Sequence, residues 1–493
     1  MLRAPGRGLG LLARRRSGQI WNTVIVFEEA LHDPKGLALS EGPNAGCYRL
    51  LSPIGMIGYG IMERSFALGV AERPDVIGVD GGSVDPGPYY LGSGCCFTSR
   101  ELVTRDARLC LRAGRELGIP VVIGTAGGAG GEPHLTFAFD CIRDAAKAES
   151  LGPLRVVLIH AEQPAQLVSD WLEAGRLRGF PGAPVPSREG IAASERIVGQ
   201  MGVAPIERAL ELEPDVVLAG RASDVAIFAG PAVHAGGDPA LAIHLGKVME
   251  CGAHCAEPAS GRDAMLAELY EDHFVLRPPN PERRCTAQGV AAHMLYENAH
   301  PFRLAEPDGI CDLSDVVVES CADRGVRVSG ANFEPAERMT VKLEGSAQIG
   351  YRAIVMGGMR DPRLIAEVDH VIGVVEEAVA ASFGDEDYEL SFRVYGRDGV
   401  LGPSEPETAA PREVGLLCEA LAPTAAFAHA VAQAAEAALI TAPYPNGVSA
   451  TGNLAVPYSP LITDVGPAYE WSIFCLAEAD DEESLFPLEV VEV

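Results

Sequence analysis

Between residues 47 and 224 one pattern recurs along the chain. A short apolar run without in-and-out alternation ends in a loop of glycines or charges, and an amphipathic segment follows. CYRLLSP leads into IGMIGYG and IMERSFALGVAE. PDVIGVD leads into GGSVDPGPYYLGSG and SRELVTRDARLCLRAGRELG. IPVVIG leads into TAGGAGGEPH and LTFAFDCIRDAAKAES, and LRVVLIH into AEQP and AQLVSDWLEAG. PDVVLAG leads into RASD and a Gly/Ala-rich segment. Strands that are apolar on both faces must be covered on both faces, which a parallel sheet with its crossover helices achieves. The expected fold is therefore α/β, with an N-terminal mostly parallel sheet and helices on both faces.

The pattern changes in the last third. MTVKLEG and GYRAIVMGG read as a β-pair joined by SAQI. PRLIAEVDHVIGVVEEAVAASF reads as a long helix with Pro362 in its first turn. YELSFRVYG and REVGLLCEAL read as strands, TAAFAHAVAQAAEAALI as a helix and EWSIFCLAE as a final strand. This ββαββαβ order predicts a C-terminal α+β domain over 331–493, after an α/β domain over 46–330. The turn residues of VRVSGANFEPAER mark the boundary. Within 240–325 the signals are weaker: HLGKVMECGAHCAEPASG and TAQGVAAHMLYENA read as helix or loop, and RPPNPERRC as a turn-rich connection. A chain of 493 residues is long enough for two such domains.

The formal net charge of −29 excludes an electrostatic grip on nucleic acid or an anionic membrane. No apolar run reaches the roughly 18 residues of a membrane span. Residues 1–22 differ from the rest, with five arginines and no acid, against 34 bases and 68 acids in the remainder. Residues 1–45 are expected to be an extension without fixed structure. Its plain reading is a leader or an upstream start, and its sharper reading an organellar transit peptide. The twelve cysteines are scattered through apolar segments, as buried small hydrophobes are in a reduced, intracellular protein.

Ligands of open α/β sheets bind beyond the carboxyl ends of the strands, and the polar loops here follow strand ends. Asp80 and Asp85 suit acid–base work or a divalent cation; turn closure is the ordinary alternative. Gly127, Gly128, Gly130 and Gly131 expose backbone N–H groups that can cradle a phosphate or carboxylate at a helix start. Their loop matches neither the dinucleotide fingerprint nor the P-loop, and a tight turn is the plain reading. IGMIGYG raises the same question more weakly. His160 and Glu162 suit proton transfer near neutral pH, against ordinary hydrogen bonding. Arg221 can fork onto an anion with Ser223 and Asp224 beside it, or pair with Asp224 internally. Cys251, His254 and Cys255 make a thin zinc pattern without a second pair, so no metal ligands are assigned. Cys95 and Cys96 lack the neighbouring cation of a reactive thiolate, and no G-x-S-x-G elbow is present.

The stretches LSPIGMIGYG, PDVIGVDGGSVDPGPYYLGSG, IGTAGGAGGEPH, IHAEQ, VLAGRASDVAIFA, ECGAHCAEP, NPERRCT, VKLEG, YRAIVMGGMRDP and VYGRDGV occur in this order. Together they resemble the acyclic terpene utilisation (AtuA-like) family. The resemblance implies a cytoplasmic catabolic enzyme for acyclic terpenes or branched carboxylic acids, handled as CoA thioesters. It also implies a small ferredoxin-like partner protein, which the tail does not match. It carries no catalytic residue set onto these positions. One reading is a lyase, hydratase or isomerase acting by acid–base chemistry on a small carboxylate or acyl-CoA. Another is a hydrolase with a divalent metal on Asp80, Asp85 and Glu162. A third is a binding or scaffold subunit completed by the small partner. A small-molecule substrate and a homo-oligomer are expected.

Overall fold

The computed structural model describes residues 46–493 except 322, 407–409 and 449–450. The arginine-rich start and the expected extension over 1–45 lie outside the described residues.

Five parallel strands form the centre of a ten-stranded sheet, in the spatial order Tyr48–Ser52, Val76–Asp80, Val121–Gly124, Val216–Ala219, Arg155–Ile159. Alternate residues enter two cores. Leu50, Val76, Val122, Val157 and Val217 meet the helices Ala165–Glu173, Val203–Leu210, Ala226–His234 and Pro239–Met249. Leu51, Ile77, Ile123, Val156 and Leu218 meet the helices Glu63–Ala71, Arg100–Leu117 and Glu132–Glu149. Helices thus cover both faces, the physical reason these strands show no alternation. Antiparallel strands extend both edges. Met265–Leu269, His273–Arg277, Val326–Ser329 and Val317–Ser320 follow on one side, and Leu488–Glu492 closes the other.

The strand order has one consequence for function. Val216–Ala219 lies between Val121–Gly124 and Arg155–Ile159, although it follows both in the chain. The chain leaves Val121–Gly124 toward the helix Glu132–Glu149 on one face, and leaves Val216–Ala219 toward Ala226–His234 on the other. The loops diverge there, at a topological switch point, where α/β sheets open a crevice.

The second sheet runs Thr340–Met359, helix Val368–Phe383, Glu389–Tyr395, Val414–Ala422, helix Ala425–Thr441, Ile462–Glu478. Its four strands lie in the order Glu389–Tyr395, Val414–Ala422, Thr340–Met359, Ile462–Glu478, all antiparallel. This βαββαβ arrangement is the split-βαβ, or ferredoxin-like, fold, with both helices packed into one core. The expected β-pair MTVKLEG/GYRAIVMGG is a single 20-residue strand. SAQI holds no glycine, proline, asparagine or aspartate and stays extended, and the strand bends instead at three bulges. One of these bulges centres on Gly350, whose φ of +144° favours glycine.

The two sheets exchange strands. Leu177–Gly179 and Ser194–Gln200 pair with Ile462–Glu478 and Thr340–Met359, while Leu488–Glu492 returns to the first sheet. No helix among the described residues is long and apolar enough to cross a membrane.

Candidate active site

The strand Val76–Asp80 is buried along its whole length, so its last side chain is delivered to the interior. Asp80 is 8 % exposed, and its Oδ1 has no hydrogen-bond partner. Burial, and then the charge of Asp224, pushes its pKa well above the usual carboxylate range. The Gly82 N–H and Arg221 oppose this and lose.

Asp224 comes from the loop after Val216–Ala219, across the switch point. Its Oδ1 lies 3.8 Å from Arg221 Nη1. Burial raises its pKa to about 6, against the pull of Arg221, with Asp85 adding to the rise. Asp85 is exposed, yet its charge is felt at Asp224 and Tyr296. The two carboxyls therefore sit in different environments, Asp80 buried without a partner at Oδ1 and Asp224 beside Arg221, and both are raised.

More acids join them. The helix Pro239–Met249 supplies Lys247 and is capped by Glu250, with Nζ 2.6 Å from Oε1. Burial lifts Glu250 to about 8 against Lys247, and the charges of Asp224 and Glu306 add to the rise. Glu306 accepts a 2.6 Å hydrogen bond from Ser223 Oγ and is raised by burial to about 7. Carboxyls outnumber cations in this cluster, so it holds protons that isolated acids would release.

Arg221 is only 3 % exposed and its guanidinium is engaged inside the protein. Nε donates to Glu344 Oε2 at 2.8 Å, and Nη1 to the Ala222 carbonyl at 2.6 Å and Thr125 Oγ1 at 3.3 Å. Glu344 is fully buried, and Lys342 also holds it at 2.7 Å. Arg221 thus clamps the strand Thr340–Met359 onto the strand-end loops.

The glycine-rich loop is equally committed. Gly127, Gly128, Gly130 and Gly131 are buried. Gly130 has φ +70°, and a Cβ there would lie 2.2 Å from the backbone nitrogen of Arg221, so the close approach of two loops explains it. At the start of the helix Glu132–Glu149, the Glu132 N–H donates to Glu162 Oε2 at 2.8 Å. In IGMIGYG, the N–H groups of Gly58, Gly60 and Ile61 donate to the buried Asp106 carboxylate at 2.9, 3.0 and 3.0 Å. IGMIGYG thus cradles an anion, the protein's own Asp106 carboxylate, whereas in the 127–131 loop the N–H groups of Gly128 and Gly130 donate to the Thr125 and Ala126 carbonyls.

His160 lies with Glu162 rather than with Asp80. Its Nδ1 is 2.9 Å from Glu132 Oε1 and its Nε2 3.3 Å from Glu489 Oε2. The four acid–base residues expected from sequence thus divide, Asp80 and Asp85 toward Asp224, His160 and Glu162 at the helix start. Asp80, Asp85 and Glu162 do not come together as a metal-ligand group among the described residues. Burial pushes the Cys96 thiol up to about 12, which keeps it protonated and a poor nucleophile. An open groove of about 690 Å³ lies at the opposite, amino-terminal end of Tyr48–Ser52, lined by Cys47, Gly236, Asp238 and Glu271. It contains none of the clustered groups.

Lys247, Glu250, Glu306 and Glu344 did not stand out in the sequence. For Lys247 and Glu250 a signal existed: two opposite charges three residues apart in an otherwise apolar helix. For Glu306 there was none, because Ser223 lies 83 residues away, and for Glu344 the nearby Lys342 gave no hint of Arg221, 123 residues away.

Comparison with protein families matches residues 109–462 to the family model described as acyclic terpene utilisation family protein AtuA. No curated protein and no solved structure matches the chain.

Proposed function

Because the chain belongs to the acyclic terpene utilisation family, we propose that it is a catabolic enzyme that moves a proton beside the carbonyl of a branched acyl thioester. Asp224 is the base and Asp80 the neutral acid. The observation that carries this reading is the pair of carboxyls across the switch point, Asp80 buried and Asp224 half-buried beside Arg221, both raised above the usual carboxylate range.

At neutral pH Asp224 is ionised and accepts the proton of the carbon next to the carbonyl. The C–H electron pair moves into an enolate. The protonated Asp80 carboxyl donates a hydrogen bond to the enolate oxygen, where charge develops. Returning the proton to the same carbon, returning it to the γ carbon of a dienolate formed from an unsaturated acyl group, or losing hydroxide from the β carbon (or the reverse) gives epimerase, isomerase, or lyase and hydratase outcomes. Arg221 and Lys247 both have internal carboxylate partners, and acids surround them. A neutral thioester carbonyl therefore fits this cluster better than a free carboxylate, whose charge the acids would repel. A CoA thioester carries its phosphates far from the reacting carbon. The setting suits work in the cytoplasm.

A melting screen in EDTA tests the substrate class. Branched acyl-CoA at about 100 times its Kd is expected to stabilise the protein by roughly 2.7 kcal/mol, with the free acids giving no shift. Stabilisation by free acids alone would contradict the thioester assignment.

A further inference from the structure

We propose that Glu250, Cys251 and His293 bind a transition-metal cation of the zinc class. One donor atom from each lies within 4.8 Å of the others. Glu250 caps the helix Pro239–Met249, Cys251 follows in the next turn, and His293 stands in the last turn of the helix Ala287–Met294. Tetrahedral zinc with bonds of about 2.0–2.3 Å spaces its ligands roughly 3.3–3.8 Å apart. The donors therefore need to close by on the order of 1 Å, within the reach of side-chain rotation.

His293 supplies an independent sign of a ligand. It is 7 % exposed, and its buried Nε2 has no hydrogen-bond partner. Such an orphaned ring nitrogen is costly unless something takes its lone pair or proton. The neutral ring is the form that ligates, through a nitrogen that has no other partner. Its orientation is fixed by stacking on Tyr296, with ring centres 5.5 Å apart, and by the edge of His254 at 6.2 Å.

The donor set selects the ion. Sulfur, imidazole and carboxylate together suit zinc, whereas magnesium and calcium prefer oxygen alone. The negative charges of Asp224 and Glu306 are felt at Glu250 and would draw a dication in. Lys247 holds Oε1 of Glu250, which leaves the other oxygen for the cation. Binding takes Cys251 as the thiolate and Glu250 as the carboxylate and releases the protons they held to solvent. Three protein ligands leave a fourth position for water or substrate. The sequence pattern had pointed instead to Cys251, His254 and Cys255; His254 is exposed and Cys255 is buried against Cys285.

The site does not depend on the acid–base reading, because binding can be read directly. The full chain is stripped with EDTA and titrated with Co²⁺, with Zn²⁺ as competitor. One equivalent of Co²⁺ is expected to give a thiolate-to-cobalt charge-transfer band that Zn²⁺ removes. Cys251→Ser should lose that band. His293→Gln and Glu250→Gln should weaken binding on the order of 100-fold, while the distant Cys95→Ser leaves it unchanged. Absence of stoichiometric uptake by the wild-type chain, or of the thiolate band in it, would overturn the proposal whatever the variants do. So would a band that persists in folded Cys251→Ser.

Discussion

Arg221→Met is expected to lower the unfolding free energy by about 3–5 kcal/mol, the usual cost of removing one partner from a buried ion pair. Glu344 is fully buried, and without the guanidinium it keeps only Lys342, at the margin of the site, as a counter-charge. The Ala222 carbonyl and Thr125 Oγ1 each lose one of two donors and keep only their bonds to each other's residue. The loss should be largely a charge effect. Arg221→Met combined with Glu344→Met removes both charges and should recover much of the stability, since an apolar pair of similar volume is often neutral or better. Denaturant unfolding of the four chains of this cycle measures it. A cost below about 1 kcal/mol for Arg221→Met would mean that the clamp contributes little.

Asp80→Asn should make the protein more stable at neutral pH and remove its activity, the pairing expected where a strained group serves function. The sign follows from linkage. A buried acid with a raised folded pKa binds its proton more tightly in the native state than in the unfolded chain. Stability is therefore full below the unfolded carboxylate value and falls as pH rises through the folded pKa. Asparagine has no such loss, so its advantage over aspartate should grow with pH. Asp224, lifted from 3.8 to about 6, follows the same rule over a lower window. Its loss amounts to at most about 3 kcal/mol, since part of its side chain still meets solvent. Unfolding free energies of Asp80→Asn, Asp224→Asn and wild type from about pH 4 to pH 8 decide this. A wild-type profile parallel to that of Asp80→Asn across the range would show that Asp80 carries no raised pKa.

What could be read from the sequence follows from how local each signal is. The five central strands were legible because burial on both faces leaves an unbroken apolar run. Asp80 stood out because it ends such a run, and Asp224 because it lies in the polar loop that follows one. MLAEL was not: its residues favour helix, yet Met265–Leu269 is a wholly buried strand between two antiparallel neighbours. There, pairing and burial override intrinsic preference. The loop IGMIGYG gathers its N–H groups on the Asp106 carboxylate, 45 to 48 residues away, a distance no local motif spans, while Gly128 and Gly130 of the other loop give theirs to nearby backbone carbonyls. His160, like Asp80, stands at the end of an apolar strand. The sheet order sets them apart, since two other strands stand between theirs.

The most direct test of the central claim is proton exchange. Branched acyl-CoA thioesters are incubated with the wild-type chain in D₂O and followed by mass spectrometry and proton NMR. The carboxyl pair predicts enzyme-dependent deuterium uptake at the carbon beside the carbonyl. The rate should rise as pH passes through about 6, where Asp224 ionises, and Asp224→Asn should abolish it. A wild-type chain that binds the thioester, as its melting shift reports, yet leaves that carbon unexchanged at every pH would contradict the assignment.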